Sequence, residues 1–261
     1  MPALIFDCDG VLADTERYGH LPAFNRTFAD FGLPVHWSEA DYADLLRIGG
    51  GKERMASLLT ADFVAANGLP AAPEAQKELL AAWHKSKSQH YAAAVEDGQM
   101  PARPGIVRIV DEARSAGWQL AVASTSAESS VWAVLEHVVG EERAAGFRIY
   151  AGDVVARKKP APDIYELAIA DLGISAKDAV VVEDSENGLR AALAAGLKTI
   201  VTVSSYTAAE NFGGAALVGS SLGEIDEPAD ILSNPLTLHP RGKITLATLT
   251  AILESPEAKA P

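Results

Sequence analysis

The sequence predicts an α/β fold in which a doubly wound parallel sheet carries a helical domain inserted after its first strand. Short apolar runs alternate with helical segments over most of the chain. Residues 16–97 interrupt this alternation, because they contain helical patterns and no convincing strand. Polar residues follow several apolar runs at their C-terminal ends. Together these features predict a sheet with a ligand site along one edge.

Length and composition limit the function classes. The chain has 261 residues, 48% hydrophobic content and a formal net charge of -13. The acidic balance argues against nucleic acid or an anionic membrane as partner. No apolar run is long enough to span a bilayer, and the first strand begins too early for a leader peptide. A single cysteine indicates a reducing compartment. We expect a cytoplasmic monomer, or a plastid stromal one after processing.

Five apolar runs predict buried strands, because each is short and bounded by turn residues. These runs cover residues 3–6, 119–123, 147–150, 179–182 and 198–202. Helical segments lie between them, with proline near the first turn or glycine at the C-terminal cap. These segments cover residues 104–117, about 163–173 and about 187–196. The alternation favours parallel strands joined by helical crossovers.

The inserted stretch predicts a separate helical domain. Its helical patterns cover residues 26–31, 39–47, 53–59 and 74–94. We expect the chain to leave the core near Thr15 and to return near Pro104. The predicted division is a catalytic core of residues 1–15 and 98–254, a helical cap of residues 16–97, and a flexible tail of residues 255–261.

The first strand ends in two carboxylates, Asp7 and Asp9, with Gly10 behind them. Alternate residues of an extended chain point to the same side, so the two side chains can face one small volume. Two like charges that close need a proton or a cation between them. A nucleophilic carboxylate beside a general acid/base carboxylate, both held by a divalent metal, satisfies this need. Asp-x-Asp-Gly is also ordinary turn chemistry, which leaves a structural alternative.

Other strands end in residues of complementary chemistry. Ser124 and Thr125 follow residues 119–123, Glu183 and Asp184 follow residues 179–182, and Lys159 lies in the loop after residues 147–150. Ligands of open α/β sheets bind at the carboxyl ends of the strands, where these residues converge. Each residue also has a purely structural interpretation. Ser124 could cap a helix, Lys159 and its neighbour Lys158 could lie in a solvated loop, and the two acids could be a helix-capping pair.

The convergent set predicts a phosphate ester bound with Mg²⁺, which prefers carboxylate and phosphate oxygens. Asp7 would attack phosphorus, and Asp9 would act as acid and then as base. Ser124 would hydrogen-bond a phosphoryl oxygen, and Lys159 would stabilise the developing charge. The predicted metal ligands are Asp7, Asp9, Glu183 and Asp184.

The chain resembles the haloacid dehalogenase-type phosphatases, whose core is a Rossmann-like sheet. The residues that carry the resemblance are Asp7-x-Asp9-Gly10-Val11, Ser124, Lys159-Pro160-x-Pro162-Asp163 and Glu183-Asp184-Ser185. The resemblance extends to about residue 207. It implies that Asp7 is the nucleophile and Asp9 the acid/base, and that the insert is a mobile cap over the site.

The cap contains a glycine run before a helix, at residues 48–54. Backbone N–H groups of such a run can bind an anion, and the run can also be a flexible hinge. The predicted substrate-binding residues here are Gly50, Gly51, Lys52 and Arg54. A second phosphate site would suit a sugar bisphosphate, whose hydroxyls Glu16 and His20 could contact, unless both residues only begin a helix. His84, Lys85 and Lys87 predict a solvated basic face.

A narrower resemblance is to the CbbY-type xylulose-1,5-bisphosphate phosphatases associated with Rubisco. It is carried by Glu16, His20, residues 50–54, residues 151–160 and residues 183–192, and no likeness extends beyond about residue 213. It implies removal of the 1-phosphate of xylulose-1,5-bisphosphate, a compound that inhibits Rubisco.

Three alternative functions stay open: a β-phosphoglucomutase-like mutase, a phosphoglycolate-type phosphatase and a non-catalytic binding module. Residues 219–223 match G-x-S-x-G, but they lie outside the strand–helix context of a serine hydrolase.

Overall fold

The computed structural model describes residues 1–48 and 50–256. These residues divide into two compact units, which comprise Met1–Asp14 with Met100–Pro261, and Thr15–Gln99. Residues 257–261 of the predicted tail and Gly49 of the glycine run lie outside the described residues. Among the described residues, no helix has both the length and the apolar character needed to cross a bilayer.

The first unit is built on a seven-stranded sheet, and the predicted α/β fold with a Rossmann-like sheet is confirmed. The strands lie in the order β3-β2-β1-β4-β5-β6-β7, and all are parallel except β7. Their bounds are β1 Ala3–Phe6, β2 Gln119–Ser124, β3 Phe147–Ala151, β4 Ala179–Glu183, β5 Lys198–Thr202, β6 Leu217–Gly219 and β7 Ile231–Ser233. The central strands are buried throughout, because helices cover both faces of a parallel sheet.

Helices follow the strands of this unit in the manner of a doubly wound sheet. On one face, small strand residues such as Ala3, Ala121 and Val181 pack against Ile164 and Ala192. The small strand side chains let these helices lie close to the sheet. The helices of this unit are α6 Ile106–Ser115, α7 Glu128–Val139, α8 Glu141–Ala144, α9 Asp163–Leu172, α10 Glu186–Ala194 and α11 Leu246–Glu254.

The second unit is helical. A π-helical turn, Glu16–His20, leads into its first α-helix. Phe24, Phe28, Trp37 and Tyr42 form an aromatic core with ring centroids 4.6–6.1 Å apart along the contacts of Trp37 and Tyr42. The helices are α1 Leu21–Asp30, α2 Glu39–Leu45, α3 Gly51–Ala56, α4 Ala61–Ala66 and α5 Pro73–Glu96.

Two half-buried cations, Arg103 and Lys198, attach the segment beyond β5 to the core. Arg103 donates from its two terminal nitrogens to the backbone carbonyls of Gly10, Thr202, Val203 and Ser220. These carbonyls belong to the loops at the carboxyl edge of the sheet, so one guanidinium ties those loops together. At the far side, Lys198 donates to the carbonyls of three residues at the end of α11, namely Ile252, Leu253 and Ser255.

Candidate active site

The carboxyl edge of the sheet brings polar side chains from three neighbouring strands together. Phe6, the last residue of β1, is in register with Val122 of β2 and Val182 of β4. Asp7 extends the ladder with a hydrogen bond from its N–H to the Val182 carbonyl, at 2.9 Å. Ser124 and Glu183 end their own strands at the same edge. The register of the buried strands therefore aligns these groups, as the sequence predicts for a parallel sheet.

Three acids form a compact group at this edge. One carboxylate oxygen from each of Asp7, Glu183 and Asp184 lies within 4.8 Å of the others, and all three residues are buried. Two glycines make room for them. A Cβ on Gly10 would lie 2.1 Å from Oδ2 of Asp184, and a Cβ on Gly188 would lie 2.0 Å from Cδ of Glu183. The glycines behind these motifs are thus required by the close approach of the acids.

Lys159 is the cation within this group. Its Nζ lies 2.6 Å from Oδ1 of Asp7 and 2.6 Å from Oε1 of Glu183, and it donates to the Ala123 carbonyl at 2.9 Å. It also lies 5.0 Å from the ring centroid of Tyr165, whose hydroxyl donates to the same Glu183 oxygen. Burial opposes the charge on Lys159, but Asp7 and Glu183 outweigh it and raise the pKa of the ammonium. Lys159 therefore stays charged.

One ammonium does not balance the three acids. Burial, opposed by Lys159 and assisted by Glu183 and Asp9, raises the pKa of Asp7 to about 7. Burial, followed by Asp7 and Glu183, raises the pKa of Asp184 well above its usual range. The site thus has an excess of buried negative charge. Clustered carboxylate oxygens are the donors that Mg²⁺ prefers, so the residues fit such an ion. Asp7, Glu183 and Asp184 could hold it.

Asp9 was predicted to be a metal ligand, but among the described residues it is not a member of that group of three acids, although its charge raises the pKa of Asp7. Its Oδ2 accepts a hydrogen bond from the hydroxyl of Ser126. Its roles as a metal ligand and as the acid/base stay predictions. Cys8, between the two aspartates, is buried, and burial followed by the Asp9 and Asp7 charges raises the pKa of its thiol well above the usual value.

The structural alternatives do not describe the contacts of Ser124, Glu183 and Asp184, whereas a solvated loop does describe Lys158. Ser124 is buried and its hydroxyl accepts from the Ser126 N–H at 3.1 Å, whereas α7 begins after Ala127. Helix α10 is capped by the Ser185 hydroxyl and not by Glu183 or Asp184. Lys158 pairs with the exposed Asp153 at 2.9 Å, away from the acid group. Thr125 is exposed, and the structure gives it no contact with that group.

In the helical unit, two predicted residues, Glu16 and Arg54, contact a tyrosine that was not predicted. The hydroxyl of Tyr42 is 2.5 Å from Oε2 of Glu16 and 2.8 Å from Nη1 of Arg54. The Arg54 guanidinium lies 3.6 Å from the same Glu16 oxygen. His20 is half-buried beside Lys87, with 2.7 Å between Nζ of Lys87 and Nδ1 of His20. Burial, Lys87 and Arg54 lower the pKa of His20 well below its usual value.

The prediction that Lys87 belongs to a solvated face is wrong. Its side chain is buried, and its Nζ lies 5.0 Å from the ring centroid of Phe24 and 5.1 Å from that of Tyr91. The aromatic rings replace part of the hydration that a lysine loses on burial. Lys85 is exposed, as expected for such a face.

The glycine run leads directly into α3. Gly50 has φ +97°, which favours glycine, and Gly51 is the first helical residue. A Cβ on Gly51 would lie 3.3 Å from the ring of Phe24 and 3.8 Å from His84, so this backbone packs against the aromatic core. Lys52 is exposed. His84 is half-buried, and burial, followed by Lys87 and Lys52, lowers its pKa.

The sequence of this chain matches those of known proteins. Residues 1–196 match the haloacid dehalogenase-like hydrolase family. The chain belongs to that family. A CBBY-like protein of Arabidopsis thaliana is 46% identical over 228 residues, which cover 86% of this chain and 70% of the relative. The plasmid-encoded protein CbbY of Cupriavidus necator is 44% identical over 230 residues, covering 87% and 88%. The CbbY resemblance is therefore confirmed.

A solved structure extends the likeness to three dimensions. The crystal structure of a CbbY mutant from Rhodobacter sphaeroides in complex with xylulose-1,5-bisphosphate has a TM-score of 0.71 and 40% sequence identity. The match covers 87% of this chain and 98% of that chain. This haloacid dehalogenase-like hydrolase is thus an enzyme of the CbbY type.

Several residues that contact the candidate site residues could not be predicted from the sequence. Tyr165, Tyr42 and Lys87 lie in helices, where nothing in the local pattern distinguishes them from packing residues. Ser126 follows the predicted Ser124-Thr125 pair, and the period of two along an extended chain is the one signal that could have selected it.

Proposed function

We propose that this protein is a Mg²⁺-dependent sugar-bisphosphate phosphatase that works through an aspartyl-phosphate, and that xylulose-1,5-bisphosphate is its substrate. The products would be xylulose-5-phosphate and phosphate. The observation that carries the proposal is the buried group of Asp7, Glu183 and Asp184 with the Lys159 ammonium between two of them. The CbbY structure that contains this bisphosphate supports the choice of sugar.

The chemistry starts from the Asp7 carboxylate, which attacks the phosphorus of the 1-phosphate. The bond between phosphorus and the sugar oxygen breaks, and Asp9 gives that oxygen a proton. Asp9, now ionised, takes a proton from water, whose oxygen attacks the phosphorus of the aspartyl-phosphate. This second step releases phosphate and restores the Asp7 carboxylate. Proton transfer by a positioned carboxyl contributes about 10²–10⁴-fold to such rates.

The surrounding residues prepare the two carboxylates for these roles. A nucleophile must be ionised, while burial raises the pKa of Asp7 to about 7. Mg²⁺ held by Asp7, Glu183 and Asp184 would supply positive charge that favours the ionised form and screens the incoming phosphate. Lys159 adds a fixed charge, and the buried Ser124 and the neighbouring Thr125 offer hydroxyls to phosphoryl oxygens.

The helical unit supplies cations for the phosphate that is not cleaved. Lys52, Arg54 and the backbone of Gly50 and Gly51 lie on or next to one short helix. Lys87 and Arg54 both lower the pKa of His20, which is the electrostatic effect expected where cations are concentrated. In a chain with a net charge of -13, such a concentration suits a multiply charged anion. Glu16 would accept hydrogen bonds from sugar hydroxyls.

The test is Mg²⁺-dependent phosphate release from xylulose-1,5-bisphosphate, ribulose-1,5-bisphosphate, β-glucose 1-phosphate and phosphoglycolate. We expect a strong preference for the xylulose compound and no release with EDTA. Glucose 6-phosphate formed from glucose 1-phosphate would instead show a mutase, and preference for phosphoglycolate would remove the need for a second phosphate site.

Variants separate catalysis from binding in that assay. Asp7→Asn should abolish turnover and retain substrate binding, whereas Asp153→Asn, an exposed aspartate outside the site, should change neither. Lys52→Ala should raise KM for a bisphosphate about tenfold, equivalent to one ordinary charge contact, and leave KM for a monophosphate unchanged. Full efficiency of Lys52→Ala on the bisphosphate would contradict the second phosphate site. A cytoplasmic or stromal location and a monomeric state stay predictions.

A further inference from the structure

We propose that Tyr42 is a specificity-determining positioning residue, which orients Glu16 and Arg54 so that they hold the uncleaved part of the sugar phosphate. This inference rests on the proposed function of the helical unit and adds the device that sets its selectivity. Tyr42 itself need not touch the substrate, because its hydroxyl acts through the two charged side chains.

The contacts of the Tyr42 hydroxyl define two directed hydrogen bonds. A phenol has one proton to donate, and the Glu16 carboxylate, 2.5 Å away, accepts it. The guanidinium of Arg54 has no acceptor, so its Nη1 donates to the phenol oxygen at 2.8 Å. The phenol thus connects an anion to a cation, and each bond is strengthened by a full charge.

Arg54 is restrained at further points. Its Nε donates to the Ile48 carbonyl at 3.1 Å, and its guanidinium carbon lies 5.4 Å from the centroid of the Tyr42 ring. Its distance to the Glu16 oxygen, 3.6 Å, is longer than either bond through the hydroxyl. A flexible arginine held in this way loses less conformational entropy when a ligand binds.

The tyrosine is a rigid anchor for these charges. Its side chain is fully buried, and its ring packs against Phe24 and Trp37 at centroid distances of 5.8 and 6.1 Å. Helix α2, which carries it, begins with a reciprocal capping box between Ser38 and Asp41. The fixed helix start and the packed ring leave the hydroxyl one position.

This arrangement explains how an anion site can discriminate between substrates. Glu16 on its own would repel a phosphate, and Arg54 on its own would bind any anion in reach. With the Tyr42 phenol between them, the Arg54 guanidinium and the Glu16 carboxylate keep a fixed separation. The guanidinium offers hydrogen-bond donors to a ligand, and the carboxylate offers an acceptor. A sugar that carries both a phosphate and hydroxyls matches such a pair better than a simple phosphate does.

The test is a double-mutant cycle on Tyr42→Phe and Arg54→Ala, read as kcat and KM for xylulose-1,5-bisphosphate. Tyr42→Phe should raise KM about tenfold with kcat within about twofold, since the loss of one charge-assisted hydrogen bond is of that order. In the Arg54→Ala background the same change should raise KM by a clearly smaller factor, because only the contact with Glu16 is then left to lose. Tyr18→Phe, at an exposed tyrosine of the same unit, is the matched control and should leave both constants unchanged.

Additive effects of the two substitutions, an unchanged KM for Tyr42→Phe, or an equal fall in kcat would overturn the inference. Thermal melting establishes that each variant is folded. If Tyr42→Phe does not fold, Arg54→Lys takes its place, because it keeps the charge and loses the contact, and it should reproduce the tenfold rise in KM. If the wild type hydrolyses another phosphate of the panel, the proposed function fails, and the cycle on that substrate still decides the role of Tyr42.

Discussion

Substitution of Gly188 by alanine tests the position of Glu183 in the acid group. Helix propensity and packing predict opposite changes in the free energy of unfolding. Gly188 is the third residue of α10, and its φ is not in the left-handed region. Replacing a helical glycine by alanine normally stabilises a protein by about 1 kcal/mol. Here the added Cβ would lie 2.0 Å from Cδ and from Oε2 of Glu183. Glu183 must move, so Gly188→Ala should destabilise the protein.

The size of the expected destabilisation follows from the hydrogen bonds that Glu183 accepts. Its Oε1 accepts from Lys159 at 2.6 Å and from the Tyr165 hydroxyl. Overpacking costs about 1–3 kcal/mol, and loss of a hydrogen bond to a charged group costs about 1.5–3 kcal/mol. After the gain in helix propensity, we expect the free energy of unfolding to fall by about 3 kcal/mol. The Mg²⁺ affinity should fall as well, because the displaced carboxylate belongs to the candidate metal site.

Urea unfolding of four proteins measures this effect. They are the wild type, Gly188→Ala, Glu183→Ala and the double variant. In the Glu183→Ala background the clash with the Glu183 side chain is absent, so Gly188→Ala should stabilise by about 1 kcal/mol through helix propensity. A neutral or stabilising effect of Gly188→Ala in the wild-type background would refute the reasoning, since it would mean that Glu183 does not occupy this position.

Three further predictions concern the same sheet edge. Ser126→Ala removes the hydrogen bond to Asp9 and should lower kcat about tenfold at unchanged KM, with Ser130→Ala as a control that retains the wild-type kcat. Arg103→Ala leaves buried backbone carbonyls without their donor and should lower the unfolding free energy by about 3–5 kcal/mol in urea titrations; a loss below about 1 kcal/mol would contradict this. The raised pKa of Asp7, about 7 against 3.8, means that the folded protein holds a proton which the unfolded chain releases. The unfolding free energy measured in EDTA should therefore fall by about 4 kcal/mol as pH rises from 4 to 7, and saturating Mg²⁺ should remove that slope.

The central strands and the acids behind them could be predicted because a parallel sheet leaves a strong local pattern. Continuous burial makes a strand such as Ala179–Glu183 apolar throughout, and the first polar residue then marks the edge. The strands Leu217–Gly219 and Ile231–Ser233 have three residues each, and the second lies at the exposed edge of the sheet. Segments that short have no measurable periodicity, so their pairing depends on tertiary structure.

The missed residues of the candidate site share a different cause. Lys87 has the charge pattern of a surface residue, and its contacts with His20 and two aromatic rings make its burial tolerable. Tyr42 and Tyr165 each place a hydroxyl beside a carboxylate that is 18 or more residues away in sequence. Such partners depend on how helices pack, and no spacing rule within one helix can select them.

Cys8 gives the protein a practical property. The chain has one cysteine, its side chain is buried, and burial followed by the neighbouring Asp9 and Asp7 charges raises the pKa of the thiol well above the usual value. Because thiol reagents react with the thiolate, this sulfur should resist alkylation while the protein is folded. A cysteine introduced at exposed Lys85 and another at exposed Glu141 could therefore be labelled in the presence of the native one. A fluorophore pair at those positions would report the separation between the helical unit and the sheet unit during turnover.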